Sequence, residues 1–580
     1  MKNKLHLTLA LALFNLAMAG AQSLTVTNEA PGRLDQQLTE SVRFTLEELN
    51  VGGPLNSADL KIIQQIADRS KTKKKNERLL TTLDLSKAHI VDDKTSATTN
   101  ELPISFLSGC DKLQSVVLPD SLVTVSRNCF QGCSALTDVK MSATVKVIDD
   151  NAFAKCISLE KIKLPVELTK IGKAAFKGCK GLISITLPET VAEMEEDVFS
   201  GCKELTEVSF NCQLGIVPDG TFTDCVKLTD IALPSSVQEI GSDTFRNCEA
   251  LEKVETEEKL KKIGKNAFDG CKMLTDIELN EVTELGSSAF SDCISLSAAP
   301  LTKITSLGND AFNGCTRLES VELGDALKAI GNEVFLDCQN LVSVKLPDRL
   351  STIGKSAFRG CKMLSEIKLP QSLTRINDRA FESCTSLKTV TIPLMTRQMG
   401  SGTFKECVML DSVIIQGQIE KLESETFQKC QSLRTVLLPM STRSIGEKAF
   451  QDCISLSSIK LPISVNTIGD NAFERCISIT EAIIPAACTT IGSNAYRECS
   501  ALKTVETPAG LKKIGGGAFS KCVSLQEFNL KSPLPPSISS NTFKGTTTSI
   551  CRFSVPAGAK VRYYNDKTWN KTVVLFMEKK

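Results

Sequence analysis

Residues 338–361 read CQNLVSVKLPDRLSTIGKSAFRGC, and the same 23-residue pattern begins again at Cys361. Apolar residues recur at fixed offsets from each cysteine, and copies of the pattern fill most of the 580-residue chain. A fixed period of this length is typical of a solenoid, in which each turn buries its apolar face only against its neighbours. Nineteen cysteines keep the period: Cys110, Cys133, Cys156, Cys179, Cys202, Cys225, Cys248, Cys271, Cys293, Cys315, Cys338, Cys361, Cys384, Cys407, Cys430, Cys453, Cys476, Cys499 and Cys522.

One copy of the pattern predicts one turn of a β-rich solenoid. Counted from the cysteine, apolar residues stand at +3, +6, +8 and +15, and proline is frequent at +9. Because side chains alternate across a strand, residues +6 and +8 face inward while +5 and +7 face outward. Successive +5 to +8 segments are expected to form one continuous parallel sheet, with strands about 4.8 Å apart. Gly354 at +16 predicts a tight turn or a positive φ.

Phenylalanine stands three residues before almost every one of these cysteines, so each turn contributes one ring to an internal stack. Phe245, Phe358 and Phe450 are predicted to be members of that stack, and burying each ring contributes about 1.5–3 kcal/mol. The short segment between such a ring and its cysteine has room for about one helical or 3-10 turn. The structural ladder predicted from these positions also includes the inward cysteines Cys338, Cys361 and Cys384.

The 23 cysteines leave two interpretations open. A cysteine at the same inward position of every turn is typical of a small buried core residue, which favours free thiols. Cysteines of adjacent turns are also close enough that disulfides are sterically possible. A metal site is not predicted, because a ladder places cysteines in a line whereas zinc needs four ligands that converge on one point.

The full motif Cys-x-x-Leu-x-x-Val-x-Leu-Pro-x-x-Leu-x-x-Ile-Gly-x-x-Ala-Phe-x-x-Cys resembles the BspA-like, or Treponema pallidum-type, class of bacterial leucine-rich repeats. Residues 53–59 with 83–86, and residues 553–558 with Trp569, resemble the lead-in and closing segments of such proteins in Bacteroidetes. The resemblance implies a curved leucine-rich-repeat solenoid, export to the cell surface or beyond, and adhesion or host-protein binding. It carries over no catalytic residue.

The chain divides into four segments on sequence grounds. Residues 1–21 have lysines before an apolar stretch and small residues after it, which predicts a secretory signal peptide. Residues 22–100 are interpreted as an N-terminal cap region with a helix near residues 60–67, for which Ser57 is a candidate cap. Residues 101–545 form the array of about 19–20 repeats of 22–23 residues, and residues 546–580 form a C-terminal capping segment.

Charge and residue usage disfavour several functional classes. With 68 basic and 67 acidic residues the chain lacks the basic surface expected of a nucleic-acid binder. The run from Lys71 to Lys75 is interpreted as a solvated loop, and no second apolar run approaches the roughly 20 residues that a membrane span needs. His89 is the single histidine beyond the predicted signal peptide, so no catalytic, metal or cofactor site is predicted, and the chain is interpreted as non-enzymatic.

The outward strand positions +5 and +7 are the predicted ligand platform. In early copies they carry mixed charges: Lys140, Lys161 and Lys163, then Glu207, Glu255, Asp276, Glu278 and Glu322. Later copies present a less polar stripe at +7, interrupted by Lys460, and this is the candidate partner-binding stripe: Thr391, Ile414, Leu437 and Ile483. The alternative is that these side chains pack only on those of neighbouring turns.

Three functional hypotheses follow from these features. The first is an exported binding protein, located at the cell surface, in the outer envelope or outside the cell, that engages a protein or another cell-surface macromolecule. The second is a structural envelope or scaffold protein without a specific host ligand. The third, more distant, is a hydrolase that uses residues not recognised in the sequence.

Overall fold

The computed structural model describes residues 23–68, 80–91, 99–573 and 575–579. The predicted signal peptide and the Lys71–Lys75 run lie outside these ranges, as do residues 92–98. The chain divides into two compact units, Met1–Glu278 and Leu279–Lys580. Both are parallel β-solenoids with few helices, as the repeat predicted.

Most repeats contribute to two ladders of short parallel strands. The first ladder uses positions +5 to +8. In the first unit its strands are Ser115–Val117, Asp138–Lys140, Ser184–Leu187, Glu207–Phe210, Asp230–Ala232, Lys253–Glu255 and Asp276–Ile277. In the second unit they are Ala298–Leu301, Ser320–Leu323, Ser343–Lys345, Thr389–Ile392, Ser412–Ile415, Thr435–Leu437, Glu481–Ile483, Thr504–Thr507 and Glu527–Leu530.

The second ladder uses two-residue strands at positions +14 and +15, or at +13 and +14 in the 22-residue copies that begin at Cys271 and Cys293. In the first unit they are Thr124–Val125, Val147–Ile148, Lys170–Ile171, Glu193–Met194, Ile216–Val217, Glu239–Ile240 and Lys262–Ile263. In the second unit they are Glu284–Leu285, Ser306–Leu307, Ala329–Ile330, Thr352–Ile353, Arg375–Ile376, Gln398–Met399, Lys421–Leu422, Ser444–Ile445, Thr467–Ile468, Thr490–Ile491 and Lys513–Ile514.

The first ladder is interrupted at three copies that lack a regular strand and also between strands Glu207–Phe210 and Asp230–Ala232, which do not pair, so the expectation of one continuous sheet is wrong. In the first unit, residues 161–164 are joined to the next turn by a single bridge between Lys161 and Ser184. In the second unit, residues 366–369 and 458–461 form no strand. Because each turn contributes only two to four residues, the loss of one or two hydrogen bonds between turns ends a strand. The three copies that lack a regular strand all read Ile-Lys-Leu-Pro.

The predicted aromatic stack runs through each unit. Phe245, Phe358 and Phe450 have no exposed surface. The rings of Phe335 and Phe358 are stacked with centroids 5.3 Å apart, and those of Phe427 and Phe450 are 5.4 Å apart. From Phe130 to Phe268 in the first unit and from Phe290 to Phe543 in the second, successive turns are joined by stacked aromatic pairs, each worth about 0.5–1.5 kcal/mol beyond its area burial.

The segment before each cysteine is a chain of tight turns. In the copy that ends at Cys361, the N–H groups of Arg359 and Cys361 donate to the carbonyls of Ser356 and Phe358, three residues back. That spacing is the one expected of a 3-10 turn. Ser356 and Gly360, however, have φ angles of 51° and 73°, and left-handed residues interrupt a right-handed helix. The predicted single turn is therefore present without a regular helix.

Gly354 begins a tight turn, as one of the two predictions stated, because its carbonyl accepts a hydrogen bond from the N–H of Ala357 (3.4 Å), but it has a further role that was not predicted. Its φ is not in the positive range, and a Cβ built on it would lie 2.2 Å from the carbonyl oxygen of Gly331 in the preceding turn. Glycine is required here because the backbones of adjacent turns approach closely. The sequence could not reveal this close approach, because Gly354 and Gly331 are 23 residues apart and their contact depends on how the turns stack.

The cap region of the first unit continues its first ladder. Its strands are β1 (Ser23–Thr27), β2 (Glu48–Leu55), β3 (Thr82–Asp84) and β4 (Ala88–Ile90), and its helices are α1 (Leu34–Gln37), α2 (Glu40–Arg43) and α3 (Ser57–Ala67). β1, β2 and β3 pair in parallel, and β3 pairs with Ser115–Val117. The first repeat therefore has a strand partner on its N-terminal side.

Asp59 in α3 links the parts of this cap. Its buried carboxylate accepts hydrogen bonds from the N–H groups of Gly32 (2.7 Å), Leu34 (2.9 Å) and Asn56 (3.1 Å). The N-cap of α3 is Asn56, whose side chain accepts from two N–H groups of the first turn, and Ser57 is the first helical residue. The expectation that Ser57 caps the helix is therefore wrong by one position, because the extended backbone at Asn56 directs its amide oxygen toward that turn.

The second unit ends in an aromatic cluster. Strands Arg552–Pro556 and Phe576–Lys579 extend its first ladder, and two short helices, α4 (Lys560–Asn565) and α5 (Lys567–Thr572), lie between them in sequence. Trp569 is fully buried, and its indole N–H donates to the carbonyl of Pro536 (2.7 Å). The ring of Trp569 lies 6.0 Å from that of Phe543, the last phenylalanine of the stack.

Candidate functional site

The first ladder determines which side chains reach the surface. In strand Ser412–Ile415, Val413 and Ile415 are buried while Ile414 is exposed. This is the alternation that the repeat predicted, and it follows from the pleat. The residues at +7 of neighbouring copies therefore lie side by side on the outer face.

The structure brings part of the candidate stripe together. Ile414 is the strand partner of both Thr391 and Leu437. Ile483 lies farther along, two turns beyond Leu437, and Lys460 occupies the turn between them. All four candidates are exposed, and the three large ones are exposed by 41–56%. Packing against neighbouring turns thus covers only part of each side chain, and a role in binding stays a prediction.

Sequence reasoning missed a second row of exposed apolar residues beside this stripe. It lies in the loop that follows the proline position, at +10 and +11, and contains Leu394, Met395, Met440 and Ile463, each at least half exposed. The signal was present in the sequence, because earlier copies of the same unit have Asp325, Asp348 and Gln371 at +10. We name the combined set the apolar edge surface: Leu394, Met395, Ile414, Leu437, Met440, Ile463 and Ile483.

A groove of about 660 Å³ lies at one end of the apolar edge surface. Ile463 and Ile483 contribute apolar walls, and the loops at Pro485 and Pro508 contribute others. Lys460 lies among these residues, and Lys531 on the rim is paired with a glutamate. The groove can take an apolar side chain, and Lys460 can pair with an acidic group beside it.

The cysteine ladder forms a buried structural array. All 23 cysteines are free and buried. The thiols of Cys338, Cys361 and Cys384 donate hydrogen bonds of 3.1–3.2 Å to phenylalanine carbonyls of earlier turns. Burial raises the pKa of Cys338 and Cys361 well above the ordinary value, so these thiols stay protonated and unreactive near neutral pH. The hydrogen bonds from thiols to carbonyls were not predicted, because the repeat period places each cysteine in the core but does not determine where its thiol points.

The described residues show little that resembles catalytic or metal chemistry. His89 is exposed in β4, between buried Ala88 and Ile90. Within the ranges that the structure describes, no three His, Cys, Asp or Glu side chains are grouped closely enough to hold a metal ion. Searching those same ranges for a helix with the length and hydropathy of a bilayer-spanning segment also finds none.

A family model matches most of the sequence. It is described as the BspA type leucine-rich repeat region in six copies, and it matches residues 100–228, 215–322, 305–434 and 420–550. No curated protein sequence matches the chain.

Several solved structures are similar in fold. A leucine-rich repeat protein from Bacteroides ovatus is 23% identical, with 84% of this chain and 90% of that chain covered and a TM-score of 0.28. A leucine-rich cell surface protein from Faecalibacterium prausnitzii is 23% identical, covering 60% and 86%, with a TM-score of 0.34. A leucine-rich repeat protein of T. pallidum is 26% identical, covering 33% and 78%, with a TM-score of 0.26.

Proposed function

Because the chain belongs to the family of BspA-type leucine-rich repeat proteins, we propose that it is a non-enzymatic binding protein whose apolar edge surface holds a protein partner. Repeats of this family commonly mediate protein–protein interaction and surface binding. Beyond this general role, we propose which surface of this chain binds the partner, and that this surface lies in the second unit.

One observation carries the proposal. Seven large apolar side chains of the apolar edge surface are each at least 41% exposed, although they come from only five successive repeats. Single exposed apolar residues are common on soluble proteins, but a row of them marks an interaction surface. These side chains add nothing to the phenylalanine stack, so folding alone does not explain why they recur.

We place this binding outside the cell or at its surface. The support is the predicted signal peptide of residues 1–21, in which lysines precede an apolar stretch and small residues follow it. Adhesion to a host or bacterial partner fits such a location. The structural-scaffold hypothesis lacks a comparable observation, because a spacer needs no exposed apolar row. A hydrolase would need nucleophile and base side chains in proximity, and exposed His89 is its single candidate histidine base beyond the predicted signal peptide.

The test replaces Ile414, Leu437 and Ile483 by serine in one variant. A partner is first identified by capture on the purified chain and then produced, so that its affinity can be measured directly by calorimetry. We expect the triple variant to fold and to bind at least about tenfold more weakly, which corresponds to about 1.4 kcal/mol, because partner surfaces bury such anchors.

A matched control replaces Met363, Met409 and Ile477 by serine. These residues belong to the same unit and are exposed to a similar degree, but they stand at +1 or +2, away from the apolar edge surface. The control variant should retain full affinity. Equal loss in both variants, or unchanged affinity in the folded triple variant, would remove this surface as the binding site.

A further inference from the structure

The first unit contains a basic cluster that the fold does not use. Lys140, Lys161 and Lys163 stand at outward strand positions of two adjacent repeats and are exposed. None of the three forms an ion pair or a side-chain hydrogen bond within the described part of the chain. Lys253, the remaining lysine at these positions in the unit, pairs with Glu255 at 2.8 Å. The three free ammonium groups are therefore available to an external anion.

These lysines stand over two grooves that share residues. One groove of about 490 Å³ and another of about 410 Å³ are both lined by residues 161–164 and by Val166. Val166 is 64% exposed. Asp138 is the single acidic residue among the lining residues, against three lysines, and it already accepts a hydrogen bond from Ser115 (3.2 Å). The local charge is therefore positive in a chain that is almost neutral overall.

The first ladder opens at the same place. Two turns earlier, the N–H of Leu118 donates to the carbonyl of Lys140 (2.9 Å). The equivalent bond from Leu164 to Thr186 is absent, and the N–H groups of Lys163 and Leu164 donate to no other backbone group in the described chain. Backbone N–H groups are costly to leave unpaired, and a ligand carbonyl can satisfy them. The two N–H groups therefore have no backbone partner at the turn that carries the exposed lysines.

We propose that Lys140, Lys161, Lys163 and the adjoining grooves form a binding site for an extended acidic segment of a partner protein. Lys161 and Lys163 are two residues apart on one face, a separation of about 6.6 Å along the strand. Carboxylates two residues apart on an extended peptide have the same separation. Side chains at these positions of the segment pair with the lysines, and an apolar side chain packs on Val166.

The lining residues favour a peptide over an acidic polysaccharide. Protein sites commonly hold sugar rings with aromatic faces, and neither groove is lined by an aromatic residue. An exposed valine suits an aliphatic side chain. The site lies in the first unit and is independent of the apolar edge surface in the second.

The test uses a fluorescent peptide that alternates glutamate with valine, and binding to the full chain is followed by anisotropy. We expect binding that weakens steeply when salt is raised to about 150 mM, because exposed charges are screened. Replacing Lys140, Lys161 and Lys163 by glutamine should weaken binding at least about 30-fold, because each lysine removed takes away one ion pair to the peptide. A peptide that alternates glutamine with valine should not bind.

The matched control replaces Lys170, Lys253 and Lys262 by glutamine. These lysines belong to the same unit, and each already pairs with a glutamate at 2.7–2.9 Å. The control has the same net charge as the test variant and should bind the peptide within about twofold of the unaltered chain. An equal loss of peptide affinity in both variants would show that only net charge matters, and would overturn the proposed site. Dextran sulfate is tested as a competitor. If it binds through the same three lysines more tightly than the peptide does, the ligand of this site is an acidic polysaccharide and the peptide proposal is overturned.

Discussion

Gly354 shows how one residue can be required for a reason that its own turn does not reveal. The repeat places glycine at +16, and the structure puts its Cα against the backbone of the preceding turn. Other copies have larger residues at +16, such as Asn377, whose amide donates to the carbonyl of Ile353 (3.0 Å). Glycine is therefore needed at +16 only where the backbones of adjacent turns approach closely, and not in every turn.

Gly354→Ala should destabilise the second unit by about 1–3 kcal/mol, because the added methyl group overlaps the carbonyl of Gly331. Urea unfolding measures the change. Gly510→Ala is the matched control, since a Cβ at Gly510 meets no atom within 4 Å. The control should be neutral or slightly stabilising. If both variants lost the same stability, close approach would not be the reason for Gly354.

The repeat is the smallest element with a consistent structure. Its strand supplies two inward side chains and two outward ones, and its tight turns place one phenylalanine and one cysteine in the core. The same inward pattern recurs in both units, while the outward positions vary between repeats. Variation at +5, +7 and +10 is what distinguishes the lysine cluster of the first unit from the apolar edge surface of the second.

Phe358→Ala should cost about 3–5 kcal/mol, because it removes a fully buried ring that stacks on both neighbours. Since each repeat contacts only adjacent repeats, hydrogen exchange should accelerate first in the flanking turns of the second unit.

Val342→Ala, in the same repeat, is the control for Phe358→Ala. Val342 is largely exposed, so its truncation should change exchange very little. Acceleration spread evenly over the unit in the Phe358 variant would contradict a nearest-neighbour array.

At the scale of the whole molecule, the buried thiols couple stability to alkaline pH. Burial raises the pKa of Cys133 and Cys522 to about 12, whereas unfolded cysteine ionises near about 8.5. A thiol whose pKa is raised in the folded state contributes its full stabilisation when the pH is below its pKa in the unfolded chain. The contribution decreases as pH rises toward the folded value, because the unfolded chain releases the proton more easily.

The urea midpoint of the reduced protein should therefore fall between about pH 8.5 and pH 10. In this range each buried thiol lowers the free energy of unfolding by up to about 1.4 kcal/mol per pH unit. A variant with alanine at Cys338, Cys361 and Cys384 should show a shallower decline, although it is less stable at neutral pH. A midpoint that stays constant to pH 10 would mean that the thiols are not buried in the protonated form.

The sequence alone was sufficient for the family, the solenoid and the inward positions. These follow from the 23-residue period, because each turn buries its apolar residues only against adjacent turns and therefore repeats their spacing. The exposed positions of Thr391, Ile414, Leu437 and Ile483 were also predictable, since alternation along a strand is a local property.

Contacts between residues one turn apart were decided only by the tertiary structure. The Ile-Lys-Leu-Pro copies look regular in sequence, yet the first ladder opens there, because strand pairing depends on how adjacent turns are spaced. Lys163 and Lys262 are both exposed lysines, but only the stacking of turns brings a glutamate of the preceding turn, Glu239, to Lys262 (2.9 Å). The grooves beside Val166 and Ile463 likewise come from loops of separate repeats, whose proximity no single repeat specifies.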